Sequence, residues 1–312
     1  MVEERPVSPS YRSLTTAQWR RKIDFFRSNF SPCRLCPRTC GAEREEDRKG
    51  VCHAGKQIKI ASQNLHFGEE PPISGLRGSG TVFFSGCTLK CLFCQNYPIS
   101  QLFHGEFYSV EQLAAVFLSL QKRGAHNINL VSPTPYLHHI ASALEIASSQ
   151  GLNIPLVCNT SGYERVEVVA ELADIVDIYL PDLKYGPGEN SRQLGLKLSG
   201  VGDYFENAVG AIAEMFRQTG PPRLDEDEVA LRGTVIRHLI IPGHTSNSVE
   251  VLRTIADSPF RSAWLSLMSQ YFPAHRARGF PPFDRRLLPK EYRQVKDEAL
   301  RLGLEDGWFQ EI

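Results

Sequence analysis

Several things are scarce in this sequence, and each scarcity removes a class of protein. Net charge is absent: 35 Lys+Arg balance 35 Asp+Glu over 312 residues, so no bulk charge draws the chain to nucleic acid or to an anionic membrane surface. No apolar run approaches the roughly 18 to 20 residues that a bilayer span needs. The opening, MVEERPVSPSYRSL, lacks the basic-then-apolar layout of a secretory signal, and the acidic Glu3 and Glu4 suit an organellar transit peptide poorly. Disorder is excluded by a hydrophobic content of 42%, which suits a packed globular chain. The expectation is a cytoplasmic protein, and in a reducing compartment its eight cysteines read as metal ligands or redox thiols, not disulfides.

Those cysteines fall into groups. Cys33, Cys36, Cys40 and Cys52 form one, Cys87, Cys91 and Cys94 another, and Cys158 stands alone in an apolar run as a small buried hydrophobe. Between the groups lie Pro71, Pro72, Gly75, Gly78 and Gly80, which read as a connection. We therefore expect an N-terminal segment over residues 1–75 and a main domain over 76–312. The glycine-rich stretch 75–80 precedes a strand instead of joining strand to helix, so it reads as a turn and not as a phosphate loop.

The main domain alternates. Strand-like runs occur at 81–85, 127–131, 155–159, 174–180, 234–241 and 263–268. Helical periodicity follows from Val110, with Ser109 as N-cap and Gly124 as stop, and again at 135–151, 163–174, 204–218, 248–257 and 290–302. Alternation of this kind implies a parallel sheet with right-handed crossovers. Six units predict an α/β fold, either an open doubly wound sheet or an incomplete barrel. In both, a site forms at the C-terminal ends of the strands. That rule selects Cys87 after the first strand, then Ser132, Pro133 and Thr134, then Asn159, Thr160, Ser161 and Gly162. Asp182 and Lys184 follow the fourth strand, Arg237 and His238 lie on the fifth, and Ser269, Gln270 and Tyr271 follow the sixth.

Thiolates select zinc, copper(I) or iron–sulfur clusters. Structural zinc closes its shell with four protein ligands, whereas the trio supplies three, and three thiolates on a four-iron cube leave one iron open. Cys91 and Cys94 alone would make a redox dithiol, which leaves Cys87 idle.

Cys87-x3-Cys91-x2-Cys94, directly after a first strand, resembles the signature of the radical S-adenosylmethionine (radical SAM) enzymes. The surrounding LCPRTCG, HFGEEPPISG, FFSGCTLKCLFCQNYPIS, NTSGYE, DIYLPDLKYG, RHLIIPG and LMSQYFPAH are similar to the branch related to pyruvate formate-lyase activating enzymes, over about residues 30 to 310. The resemblance implies a partial (βα)6 TIM-like barrel. It also implies a [4Fe–4S] cluster on Cys87, Cys91 and Cys94, with S-adenosylmethionine (SAM) chelating the open iron. One-electron cleavage of SAM would then give a 5′-deoxyadenosyl radical that takes a hydrogen atom from a substrate, in one version a glycine of a partner protein. The implied electron donor is a flavodoxin or ferredoxin. Phe93 corresponds to the aromatic that packs by the adenine.

In activating enzymes a Gly-Gly-Glu motif after the second strand holds the SAM amine. Here the stretch is LVSPTPY, so Ser132 and Thr134 stand in and the carboxylate is missing. Asn159 and Thr160 replace an Asp-Thr pair that, with the fourth-strand Asp, also binds a monovalent cation. Asp182 and Lys184 match the family's DLK, with Lys184 facing the SAM carboxylate, and Arg237 matches the arginine of the fifth-strand motif. His238 and His275 read either as contacts or as structural histidines. The four N-terminal cysteines satisfy either tetrahedral zinc or a second cluster, and the EREEDRKG stretch between them reads as solvated. Against the enzyme reading stand a non-catalytic zinc module and a thiol oxidoreductase.

Overall fold

The computed structural model describes residues 8–311. The transit-peptide argument from Glu3 and Glu4 lies outside those residues. Ten strands form one sheet in the order β3-β1-β2-β4-β5-β6-β8-β9-β10, with β7 beside β8. They are β1 (Ile58–His66), β2 (Ser79–Phe84), β3 (Glu106–Tyr108), β4 (Ile128–Val131), β5 (Leu156–Thr160), β6 (Ile178–Pro181), β7 (Arg223–Leu224), β8 (Ala230–Leu239), β9 (Trp264–Met268) and β10 (Gly307–Phe309).

The six expected strands are β2, β4, β5, β6, β8 and β9, all paired in parallel. A seventh parallel strand, β10, extends β9. At the other edge β1 and β3 are antiparallel. The result is the mixed α/β, largely parallel architecture of a partial barrel.

The helices Val110–Lys122, Leu137–Ser149, Tyr204–Thr219, Thr245–Ala256 and Pro289–Arg301 fall where the periodicity placed them. Ser109 caps the first through a capping box with Gln112. The helix expected over 163–174 shrinks to Val166–Ala170, which frees Tyr163 and Glu164 for a loop. Helix Glu189–Ser199 is not among the expected helices: a Gly-Pro-Gly stretch precedes it and only leucines 194, 196 and 198 mark its period.

Alternation assigns the two sheet faces. Val157, Ile178, Leu180 and Val235 share one face and pack on Ile73 from the loop between β1 and β2. Leu130, Leu156, Cys158 and Tyr179 share the other, under the helices. The same β1–β2 loop touches β4, β5, β8 and β9 at once, as described below. Only a sheet curved around that loop brings those strands to a common point.

The N-terminal segment is packed into this core. Helix Thr16–Ser28, capped by a Thr15–Gln18 box, buries Trp19 and Phe26 in the cluster that holds Leu137, Ile140 and Leu144. Each such aromatic contributes about 1.5–3 kcal/mol. Buried Lys22 donates to the carbonyls of Glu171 and Ala173 at 3.0 and 2.7 Å. No helix among the described residues is long and apolar enough to cross a membrane.

Candidate active site

Strand β2 runs through Ser85 and Gly86 into the Cys87–Cys94 loop. Gly86 has φ +89°, and a Cβ there would lie 2.4 Å from the Cys52 carbonyl oxygen, so only glycine fits. The loop is stitched to the end of helix Glu189–Ser199. Lys90 N–H donates to Ser199 O (3.0 Å) and Leu92 N–H to Leu198 O (2.7 Å). Cys91 Sγ lies 3.1 Å from Ser199 Oγ, Cys94 Sγ 3.2 Å from Ser100 Oγ, and Gln101 Nε2 donates to Cys91 O at 2.7 Å.

Burial pushes all three thiols up, Cys87 to about 11. Each also feels another of the trio, Cys87 from Cys91, Cys91 from Cys94 and Cys94 from Cys87, while the Lys184 ammonium opposes the rise at all three. The three sulfurs therefore share one neighbourhood under one cation, and a metal is needed to keep them ionised at neutral pH. Among the described residues no three His, Cys, Asp or Glu side chains converge on a single-ion cage. A four-iron cube takes one thiolate per iron and so asks for no such convergence.

The rim around the trio holds most of the residues picked from the sequence. Thr134 Oγ1 donates to Glu164 Oε1 at 2.8 Å, and Thr160 Oγ1 donates to the same oxygen. Glu164 is buried and has no ion-pair partner among the described residues. Burial pushes its carboxyl up to about 7, with the two hydroxyls opposing. Its charge acts on Cys87.

This residue was missed because it fell inside a helix-like run. The available signal was Gly162, whose φ of +78° and 2.0 Å approach of a would-be Cβ to Asp182 O break the chain direction just before it. Lys184 pairs with Asp182. Burial disfavours its ammonium, but Asp182 and the Cys91 and Cys87 thiolates outweigh that and raise its pKa. Ser132 takes a left-handed φ of +57° and donates its N–H to Asn159 O at 2.9 Å.

Arg237 is committed elsewhere. Its guanidinium donates to Glu70 from Nε (2.8 Å) and Nη2 (2.6 Å), to Glu69, and to Asn159 Oδ1 at 3.1 Å. Asn129 Nδ2 in turn donates to Glu69 at 3.0 Å, and Ser266 hydrogen-bonds Glu70, whose carboxyl Arg237 holds below its ordinary value despite burial. This network closes the inside of the curved sheet beneath the rim, and it occupies both Arg237 and Asn159.

His238 is fully buried, with Nδ1 2.6 Å from Leu183 O and Nε2 2.8 Å from Ser248 Oγ; both nitrogens are used, as in a structural histidine. His275 stacks on Tyr97 at 4.7 Å. Phe93 packs against Tyr271 at 5.5 Å. A cavity of about 570 Å³ lies on the far side of Glu69 and Glu70, lined by Phe67, Ile73, Leu76, Trp264 and Trp308. It touches none of the cysteines, so its size does not make it the reaction site.

Of the N-terminal cysteines, Cys33, Cys36 and Cys52 are buried and Cys40 is exposed. Arg38 donates from Nε to Thr88 O at 2.6 Å, tying this segment to the trio's loop. Arg44, from the stretch expected to be solvated, is only 2% exposed. Its side chain lies over the Phe30 ring, which buries it.

The sequence model of the Radical SAM superfamily matches residues 81–255. An uncharacterized protein of Methanocaldococcus jannaschii is 31% identical over 293 residues, covering 91% of this chain and 79% of its own. A Haemophilus influenzae protein named "Putative glycyl-radical enzyme activating enzyme" is 31% identical over 126 residues, 36% of this chain and 45% of that one. Among solved structures, SuiB of Streptococcus suis aligns at 13% identity with a TM-score of 0.46, over 75% of this chain and 48% of that chain.

Proposed function

The chain belongs to the radical SAM superfamily, whose enzymes use a [4Fe–4S] cluster and SAM, and from that premise we propose that the rim around Cys87, Cys91 and Cys94 reductively cleaves SAM and abstracts hydrogen from a substrate. Membership makes the protein an enzyme and leaves the zinc-module and thiol-oxidoreductase readings without support. Bound and reduced, the cluster and SAM supply a one-electron cleavage of the sulfonium C–S bond, yielding methionine and a 5′-deoxyadenosyl radical.

The chain's own residues do the rest. Cys87, Cys91 and Cys94 would hold the cluster through their three thiolates. Ser199 and Ser100 hydroxyls lie at the thiols of Cys91 and Cys94, where donation to a thiolate offsets its charge. Lys184, held in the charged state by Asp182, offers a cation to the SAM carboxylate. Phe93 and Tyr271 wall the aromatic side.

The observation that carries the reading is Glu164. A buried carboxylate between two threonine hydroxyls, with no cation beside it, is expensive to ionise and fits a ligand amine in its place. It restores the acid that LVSPTPY lacks, brought in from the loop after β5 instead of the one after β4. Thr134 and Thr160, chosen from the sequence as direct contacts, then serve by orienting Glu164.

A flavodoxin or ferredoxin is the proposed source of the electron. A glycine of a partner protein is a second, finer reading of the substrate. Its support is the match to the Haemophilus influenzae protein, over 36% of this chain.

The test is anaerobic reconstitution with iron and sulfide, followed by reduction with SAM present. We expect a brown protein with thiolate-to-iron absorption near ~400 nm that releases methionine and 5′-deoxyadenosine. Alanine at Cys87, Cys91 and Cys94 together should abolish release. Intact SAM after reduction of a cluster-loaded protein would sink the proposal.

A further inference from the structure

Among the described residues a buried cation near the N-terminal cysteines, Arg44, has no carboxylate to answer it. Arg44 makes one hydrogen bond to Pro135 O (2.6 Å) and one to Cys52 Sγ (3.2 Å), while its Nε, also buried, has no partner. No carboxylate pairs with it among the described residues. Lys90 Nζ is buried without a hydrogen-bond partner among the described residues; burial lowers its pKa, and Cys87 of the trio and Cys52 oppose that. A guanidinium stays charged in any folded protein, and burying one without a counter-ion is strongly unfavourable.

The thiols converge on this charge from several directions. Cys52 touches Arg44 directly. A Cβ built on Gly50 would stand 3.0 Å from Cys40 Sγ and 3.7 Å from Arg44 Nη2, so Cys40 and the guanidinium flank the same small gap. Cys33 N–H donates to Ala42 O and Gly41 N–H to Cys33 O, both at 3.0 Å, folding the strip between Cys33 and Cys40 back on itself. As neutral thiols these groups would leave the Arg44 guanidinium uncompensated. As four thiolates around a divalent core they would form a dianion beside the Arg44 guanidinium.

We propose that Cys33, Cys36, Cys40 and Cys52 hold a second metal centre, a four-iron cluster that takes one thiolate per iron and so asks for no single-ion cage, with Arg44 as its built-in counter-cation. The centre sits against the trio's loop, because the Cys52 carbonyl packs on Gly86 and Arg38, between Cys36 and Cys40, clasps Thr88. Metal binding here releases thiol protons and ties four points of a turn-rich segment together, which is how such segments gain order.

The experiment removes the other set. The full-length C87A/C91A/C94A variant, produced with zinc and iron both available and purified without oxygen, is analysed for metal and by Mössbauer spectroscopy. The proposal expects about four irons per chain, as an auxiliary cluster. Adding C36A and C52A should remove that metal.

Arg44→Gln in the same background should speed metal release to a chelator at least tenfold, with Arg44→Lys restoring the slow rate. A folded C87A/C91A/C94A protein carrying no iron, with or without zinc, overturns the proposal, even if the variant with five cysteines replaced does not fold. So does a release rate indifferent to residue 44. Neither result bears on SAM cleavage by the wild-type trio, so the two readings fail separately.

Discussion

Replacing Glu164 with Gln separates a cofactor-binding role from a structural one, because the two roles predict opposite signs. Gln keeps an acceptor oxygen for the Thr134 and Thr160 hydroxyls and loses only the charge. In the SAM-free protein the carboxyl titrates near 7, against 4.5 for an ordinary glutamate. The folded state therefore holds a proton that the unfolded chain releases as pH rises through 4.5, so stability falls between pH 4.5 and 7 and the full penalty stands above that. A shift of this size corresponds to about 3 kcal/mol.

The Gln variant escapes the penalty. By urea denaturation at pH 8 it should be more stable than wild type by up to ~3 kcal/mol, and near pH 4.5 the two should match. SAM should bind the variant roughly ten- to a hundredfold more weakly, the range set by ~1.5–3 kcal/mol for a hydrogen bond to a charged group. Calorimetry of anaerobic, cluster-loaded protein reads the affinity. A protein that gains stability while losing its cofactor is hard to produce by damage. Unchanged SAM affinity, or lower stability at every pH, would refute the assignment.

Arg237→Met should cost about 3–5 kcal/mol, because Glu69 and Glu70 would be left buried without their cation; a loss under about 1 kcal/mol in thermal denaturation would mean that the network is not what closes the sheet interior. His238, held down to about 4 by burial against an ordinary 6.5, has the reverse linkage to Glu164. The folded state binds fewer protons, so its contribution is complete above pH 6.5 and is lost as pH falls towards 4. His238→Gln should be less stable at pH 7 by about 1–3 kcal/mol yet lose less on acidification than wild type, and parallel acid profiles in urea titrations would contradict this.

The legible parts of the molecule were those encoded by contiguous pattern. Cys87, Cys91 and Cys94 announce themselves by spacing, and β2, β4, β5, β6, β8 and β9 by apolar runs of strand length. What escaped is what only tertiary packing decides. Glu164 lay in a stretch with helical periodicity, and the helix begins two residues later, at Val166, so the acid turns to the rim. Arg44 sits in the charged EREEDRKG stretch, which local composition reads as solvated, and Glu69 and Glu70 in the turn-rich connection before β2, yet all three side chains are enclosed by strands or loops distant in sequence. Ser199 reaches Cys91 from a helix hidden by its glycines. Arg237 was correctly placed at the end of β8 but is held by two acids that precede it by more than 160 residues, a pairing that no local pattern carries.

The central claim is that a three-thiolate cluster leaves an iron free to grip SAM. Electron–nuclear double resonance on the reduced, cluster-loaded protein, with SAM carrying nitrogen-15 in its amine and oxygen-17 in its carboxylate, reads that contact directly. Hyperfine coupling of both labels to the cluster is the predicted result, and it should vanish in the C87A/C91A/C94A variant. A reduced cluster whose signal shows neither coupling at saturating SAM would contradict the account.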